Sequence, residues 1–91
     1  LITKLRGIYP NPFGREAVIQ YSLANNNSKL THCILQVYDI AGRLRETLIN
    51  KEQKPGYYTI RFRPEGYPTG IYFLRFQAGK YKKTTKMVMI K

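Results

Sequence analysis

Short stretches of alternating residues, separated by turn-forming residues, run along the whole chain. Clusters of glycine, proline or asparagine interrupt the chain about every 8–12 residues, and apolar residues nowhere recur at the spacing of a helix face. Alternation with a period of two is typical of strands, because successive side chains of a strand point to opposite faces of the sheet. The pattern therefore predicts an all-β fold.

Seven segments are predicted to form strands. In Ala17–Leu23, for example, Ile19, Tyr21 and Leu23 share one face and the intervening residues share the other. About seven short strands of this kind are typical of a single Ig-like antiparallel β-sandwich, and a small barrel is the alternative. The predicted strands are Leu5–Phe13, Ala17–Leu23, Leu30–Ile40, Leu44–Ile49, Tyr57–Phe62, Ile71–Phe76 and Tyr81–Lys91.

The stretch Gly66–Phe76 begins as a turn and continues as the most apolar of these strands. Pro68 has its φ angle preset for a turn, and Gly70 is expected to take a positive φ. Arg75 is the only charged residue of the strand, which is apolar on both faces. We therefore expect this strand to lie in the middle of a sheet and to be covered on at least one side.

Turns are predicted wherever glycine, proline and small polar residues cluster. Asp39 can accept hydrogen bonds from the backbone that follows it, and Gly42 can adopt a left-handed conformation, which together predict a hairpin. The run Ala24–Lys29 is predicted to be a loop, and the polar run Asn50–Gly56 is predicted to be a turn.

Two prolines flank Asn11 near the N-terminus and remove two backbone donors. A segment of this kind suits the edge of a sheet, where a strand stops pairing and the chain turns. We expect the aromatic residues on either side, Tyr9 and Phe13, to anchor the N-terminal segment on the core.

The chain has 91 residues, which is enough for one domain with a thin core. Because it begins at Leu1 rather than at a methionine, we expect it to be a piece of a longer protein. No apolar stretch approaches the ~20 residues of a membrane-spanning helix, so no membrane span is expected.

Positive charge is in large excess, with 16 lysines and arginines against five acidic residues and a net charge of +11. Such a balance favours a polyanionic partner: nucleic acid, an anionic glycolipid or an acidic protein surface. The alternative is a basic surface without a dedicated partner. The charges are scattered, apart from a concentration at Lys80–Lys83, Lys86 and Lys91, so nucleic acid is not the expected partner.

No catalytic or metal-binding group is predicted. Cys33 is the only cysteine, which excludes an internal disulfide, and its position in step with Leu35 and Val37 predicts a buried, inert thiol. His32 is adjacent in sequence but points to the opposite face of the strand. The five acidic residues form no pair, so neither an enzyme nor a cofactor is expected.

Six short motifs follow one another in a set order. Together they resemble the C-terminal sorting domain of the type IX secretion system (type A, also called the Por secretion C-terminal domain), and the resemblance covers nearly the whole chain. Two of them, VYD-x-x-GR and GxY, are also similar to the Ig-like domain of flagellar hook-capping proteins. The motifs are Tyr9–Phe13, Ile19–Leu23, Val37–Arg43, Pro55–Tyr58, Pro68–Tyr72 and Lys86–Lys91.

The resemblance implies a signal rather than an enzyme. Members of this family have a seven-stranded Ig-like fold at the C-terminus of secreted cargo, and they direct that cargo through the periplasm and the outer membrane. A sortase-like cysteine protease usually removes them, and the cargo is often attached to an anionic lipopolysaccharide. We therefore expect residues 1–91 to be the sorting domain of a secreted or cell-surface protein, with the type IX translocon and the protease as partners.

Recognition in this family relies on the last two strands, and the resemblance carries over eight of the ten candidate residues given below. The other two, Lys82 and Lys83, are added because they are basic residues of the terminal strand. In the functional interpretation, the lysines orient a partner that adds a strand at the edge of the sheet. In the alternative interpretation, they only protect that edge from aggregation. For Gly70 and Tyr72 the alternative is a structural role in the turn and the core. The ten positions are Gly70, Tyr72, Lys82, Lys83, Lys86, Met87, Val88, Met89, Ile90 and Lys91.

Two other functions remain open at the level of sequence. The first alternative to a sorting signal is an uncleaved structural or adhesive Ig-like module of a cell-surface protein. The second alternative is a binder of polyanions. A polyanion binder predicts affinity that falls steeply with salt.

Overall fold

Two antiparallel sheets form a sandwich in the computed structural model, which describes residues 1–25, 27 and 29–90. The first sheet has the strand order β1-β2-β5 and the second the order β4-β3-β6-β7. Every neighbouring pair of strands is antiparallel. The strands are β1 (Lys4–Tyr9), β2 (Ala17–Leu23), β3 (Thr31–Asp39), β4 (Leu44–Gln53), β5 (Gly56–Phe62), β6 (Gly70–Ala78) and β7 (Tyr81–Met89).

This architecture confirms the prediction of a single Ig-like sandwich of about seven strands, and the two separate sheets exclude a small barrel. Asn26 and Ser28 of the predicted Ala24–Lys29 loop lie outside the described residues, as does Lys91. None of the described residues belongs to a helix long and apolar enough to cross a membrane.

The core lies between the two sheets and follows the alternation of the sequence. Ile19, Tyr21 and Leu23 of β2 are fully buried, as their shared face predicts. Cys33 is also fully buried, and burial raises the pKa of its thiol to about 11. A thiol with so high a pKa is almost entirely protonated at neutral pH, which agrees with the prediction of an inert cysteine.

The strand that follows Pro68 is central, as predicted. β6 lies between β3 and β7, and it buries Tyr72, Leu74 and Phe76 against the other sheet. Its opposite face carries Phe73 and Arg75 and has no second layer above it within the described part of the chain. The apolar residues of that outer face are therefore only partly covered by their neighbours in the sheet.

The Asp39 hairpin between β3 and β4 also forms as predicted. The Asp39 carboxylate accepts hydrogen bonds from the backbone N–H groups of Ala41 and Arg43 and from the Arg43 guanidinium, each at 2.9 Å. Gly42 has a φ of +83°, in the left-handed region that favours glycine. The Arg43 backbone N–H is the main reason that the pKa of Asp39 lies below its usual value.

The turn predicted at Asn50–Gly56 forms only at its end, where Lys54 and Pro55 connect β4 to β5, and the prediction is wrong for Asn50–Gln53. β4 extends to Gln53, and its residues from Asn50 onward pair with Thr31–Ile34 of β3. The backbone of β3 offers hydrogen bonds along this whole length, so polar side chains do not stop the strand. Gln53 is polar but buried, because the Tyr21 hydroxyl in the opposite sheet donates a 2.5 Å hydrogen bond to its Oε1.

Tyr9 does not anchor the N-terminal segment on the core, although Phe13 does. Tyr9 is 56% exposed, whereas Phe13 is buried and packs against Phe62 with ring centroids 5.9 Å apart. The pairing register of β1 with β2 shifts between Leu5 and Gly7. The Tyr9 ring lies over Gly7, so a Cβ atom on Gly7 would be only 2.7 Å from the Tyr9 hydroxyl oxygen. The bulge thus directs other β1 residues, not Tyr9, into the core.

We predict that Gln53→Leu destabilises the domain by about 1–3 kcal/mol, because it leaves the buried Tyr21 hydroxyl without its acceptor. Adding Tyr21→Phe removes the hydroxyl and should recover most of this loss. Urea unfolding of both single variants and the double variant measures the coupling. Additive losses from the two substitutions would show that the hydrogen bond between the sheets contributes little.

Candidate recognition surface

The two predicted recognition motifs are neighbours in the four-stranded sheet. In the ladder between β6 and β7, Gly70 lies opposite Met89 and Tyr72 lies opposite Met87. Antiparallel partners in a ladder are the closest contacts between strands. The structure therefore brings together the GxY element and the terminal motif, which the sequence separates by a turn.

Within the terminal motif, alternate residues have different environments. Met87 and Met89 are 0% and 1% exposed and belong to the core, whereas Val88 is half-buried on the outer face and Ile90 is 52% exposed. Lys91 lies outside the described residues. In the folded domain, a partner can reach Val88 and Ile90 but not the two methionines.

The lysines of β7 are all at the surface. Lys82, Lys83 and Lys86 are exposed, and none of them forms an ion pair with a carboxylate in the described part of the chain. β7 is also the last strand of its sheet. These three side chains, which we call the β7 lysines, are therefore available to a partner without any change in the fold.

The N-terminal segment covers half of the outer edge of β7, a feature that the sequence analysis missed. The Asn11 side chain donates to the Lys86 carbonyl and accepts from the Val88 N–H, both at 3.0 Å. Phe13 continues this pairing, since its N–H donates to the Val88 carbonyl and its carbonyl accepts from the Ile90 N–H, both at 2.9 Å. We call residues Asn11–Phe13 the clasp.

The clasp limits where a partner strand could be added. Backbone groups of alternate residues point to the same side of a strand, so those of Lys82 and Thr84 point outward like those of Val88. No partner of these two residues on that side is present among the described residues. Strand addition along the terminal motif would therefore require the clasp to leave, because the clasp already pairs with that length of edge.

Asn11 suits this position because its amide imitates a peptide group, with one donor and one acceptor. Both of the peptide bonds that precede the flanking prolines, Tyr9–Pro10 and Asn11–Pro12, are cis. A polar residue between two residues that lack N–H groups was the available sequence signal for a side chain that pairs with a strand edge.

We predict that Asn11→Ala lowers the free energy of unfolding by about 1–2 kcal/mol, because it removes both hydrogen bonds to β7. Gln20→Ala serves as a control, because it removes an exposed side-chain amide on β2, away from the clasp. Urea unfolding measures the difference, and hydrogen exchange at the Val88 amide reports on the clasp directly. Unchanged protection of that amide in Asn11→Ala would contradict the role of the side chain.

Gly70 does not have a positive φ, although a glycine at this turn could adopt one. The glycine with a left-handed conformation in this turn is Gly66, at φ +73°. A Cβ at either residue would meet no other atom within 4 Å. Pro68 presets the turn and Gly66 supplies the unusual backbone angle, which leaves Gly70 in an ordinary strand conformation.

We predict that Gly70→Ala changes the free energy of unfolding by less than about 0.5 kcal/mol, whereas Gly66→Ala costs about 1–2 kcal/mol. The two substitutions add the same methyl group into open space, so the difference isolates the backbone angle. Urea unfolding of both variants checks the prediction. Gly70→Ala can then be used to test recognition, since a loss of export in a stable domain would not arise from unfolding.

Tyr72 belongs to the core. It is 5% exposed, its ring packs on Tyr67 with centroids 5.2 Å apart, and its hydroxyl donates a 2.6 Å hydrogen bond to the Pro68 carbonyl. This bond ties the strand to the turn that precedes it. The residue therefore acts mainly by holding the GxY element in place.

The described residues contain no group of three or more histidine, cysteine or acidic side chains able to hold a metal ion. His32 is exposed, with its Nε2 atom 2.7 Å from Asn50 Oδ1 and its Nδ1 atom 3.4 Å from Glu52 Oε1. What the surface offers instead is an edge strand, packed on β6, that displays the exposed β7 lysines.

Comparison with known proteins assigns this arrangement to a family. The chain belongs to the secretion system C-terminal sorting domain family, whose model matches residues 7–91. A search of curated proteins found no match to the chain. Family membership makes the chain a C-terminal sorting signal of type IX secretion, so its cargo is secreted or displayed on the cell surface and it interacts with the type IX machinery. Domains of this family are typically not enzymes.

Proposed function

We propose that the type IX machinery recognises this sorting domain in its folded form, through the three β7 lysines. The observation that carries the proposal is their exposure on an edge strand, with no ion pair to any described carboxylate. Met87 and Met89 anchor this strand in the core. Lys82 and Lys86 lie on the outer face of the sheet, and Lys83 lies on the same side of the strand as Met87. Exposed cations on both sides of one anchored edge strand attract and orient an acidic surface.

The other candidate residues support the β7 lysines in different ways. Tyr72, Met87 and Met89 keep the two strands packed, and Gly70 begins β6 opposite Met89. Val88 and Ile90 present apolar surface beside the lysines, and Lys91 adds a further charge at the end of the terminal motif.

Competition tests recognition without relying on cleavage. The free domain, produced in excess in the periplasm of a type IX-competent bacterium, is expected to slow export of a native cargo by occupying the machinery. The same domain with Lys82, Lys83 and Lys86 changed to glutamate should compete much less. Equal competition by the two proteins would overturn the role assigned to the lysines.

We further propose that a sortase-like protease releases the domain by cutting ahead of Ile2. The backbone is tied to β2 from this residue onward, because the Ile2 carbonyl accepts a 2.6 Å hydrogen bond from Ser22 and the Thr3 hydroxyl accepts one of 3.0 Å from the Ala24 N–H. A protease needs an extended, accessible segment, and Leu1 is 55% exposed.

Intact mass measurement of a surface-displayed reporter tests this proposal. A reporter fused to the chain is expected to lose every residue from Ile2 onward and to gain the mass of an anionic lipopolysaccharide if attachment follows cleavage. A reporter that keeps all 91 residues at the surface would instead support an uncleaved structural or adhesive module.

A further inference from the structure

A shallow pocket opens on the outer face of the four-stranded sheet, away from the clasp. Its volume is about 290 Å³, and it lies where the β3–β4 hairpin meets β6 and β7. We call it the hairpin pocket. It is lined by Tyr38, Asp39, Ile40, Gly42, Phe73, Arg75 and Thr84.

The apolar part of the hairpin pocket is not required by the fold. Ile40 is 72% exposed at the tip of the turn, and the turn itself is made by Asp39 and Gly42. Phe73 is half-buried on the outer face, directly across from Tyr38 on one side and Lys86 on the other. Ile40 and Phe73 line the same pocket, so together they offer a partner an apolar surface that solvent can reach.

The polar part of the pocket offers one uncommitted cation. Arg75 is exposed and lies between Gln36 and Thr84, and no carboxylate among the described residues pairs with it. Asp39 also lines the pocket, but its carboxylate is occupied by Arg43 and the turn backbone. The Arg75 guanidinium can therefore bind a carboxylate with both of its parallel N–H groups.

We infer that the hairpin pocket docks an acidic segment of a partner protein in the export machinery. An apolar side chain of the segment packs on Ile40 and Phe73, and a neighbouring aspartate or glutamate pairs with Arg75. This inference rests on the proposed function, because the β7 lysine Lys86 lies opposite Phe73 and extends the positive rim of the pocket. The apolar floor favours a protein segment over a glycan.

Site-specific photocrosslinking tests the docking during export. A benzophenone amino acid replaces Ile40 in a reporter–domain fusion, and a control carries it at Tyr57, which is 71% exposed in the other sheet. We expect a crosslink from position 40 to a machinery protein, within a peptide that has an acidic residue next to an apolar one, and none from position 57. Export without a crosslink at position 40, or a crosslink to glycan or to a basic peptide, would overturn the inference.

Charge variants at the pocket provide the second measurement. Arg75→Glu should lower the crosslink yield about tenfold. Arg75→Lys should lower it by less, since lysine keeps the positive charge but cannot bind a carboxylate with two parallel N–H groups. Lys4→Glu should leave the yield unchanged. The melting temperature of each variant confirms that it is folded. Equal crosslink yields for Arg75→Glu and Lys4→Glu would overturn the docking inference but leave the proposed function standing. A wild-type fusion that is not exported at all would contradict the proposed function itself.

Discussion

A domain in which Lys82, Lys83 and Lys86 are all changed to glutamate is expected to fold normally and to lose most of its export activity. The three side chains are exposed and make no ion pair with any described carboxylate, so each substitution should change stability by only about 0.5 kcal/mol or less. Export depends on attraction to an acidic partner, and like charges facing each other across an interface are strongly unfavourable. We expect the exported fraction to fall about tenfold or more.

The matched control changes Lys4, Lys51 and Lys54, which are also exposed, to glutamate. Each set of three substitutions removes six units of charge, so both variants have a net charge of +5 instead of +11. The measurement is the fraction of a fused reporter at the cell surface, with circular dichroism and urea unfolding as checks of the fold. Equal losses in the two variants would mean that net charge matters and the position of the β7 lysines does not.

The second large effect is expected at Tyr72. Tyr72→Ala removes a buried ring and its hydrogen bond to Pro68, which should cost about 3–5 kcal/mol. The free energy of unfolding of a small domain is only about 5–15 kcal/mol, so this substitution would remove much of the stability of the domain. Tyr72→Phe keeps the ring and loses only the hydrogen bond, which costs about 1 kcal/mol.

Urea unfolding and reporter export, measured together, test the structural role of Tyr72. We expect Tyr72→Ala to reduce both and Tyr72→Phe to keep export near the wild-type value. If Tyr72→Phe remained stable but was not exported, the hydroxyl would have a direct role in recognition, and the assignment of Tyr72 to the core alone would be wrong.

The burial of Met87 and Met89 also bears on how the terminal motif can be tested. Deletion of Lys86–Lys91 would remove both methionines from the core, and it would remove the backbone groups that pair with the clasp. A block in export after this deletion would therefore reflect unfolding as readily as loss of a signal. Substitutions of exposed residues separate the two effects.

Strands with a strict alternation could be predicted well from the sequence. β2 forms over the predicted Ala17–Leu23, with Ile19, Tyr21 and Leu23 inside, because burial of one face requires this register. The Asp39 hairpin was also predictable, since its hydrogen bonds are local. In both cases the physical cause lies within a few residues of the chain.

The features that could not be predicted depend on distant partners. Asn50–Gln53 looks like a turn by composition, and only the adjacent β3 backbone and the distant Tyr21 hydroxyl make it part of a strand. The clasp joins Asn11 to Val88, at opposite ends of the chain. The hairpin pocket likewise combines a local turn with Phe73 and Arg75 of β6.

The most direct test of the account is export of a reporter that carries a periplasmic signal peptide at its N-terminus and residues 1–91 at its C-terminus. Its surface fraction is measured by protease accessibility on intact cells, in a type IX-competent bacterium and in the same bacterium without the translocon. We predict that the reporter reaches the surface in the first strain and stays in the periplasm in the second. A reporter that is retained in both strains, or that reaches the surface equally in both, would contradict it.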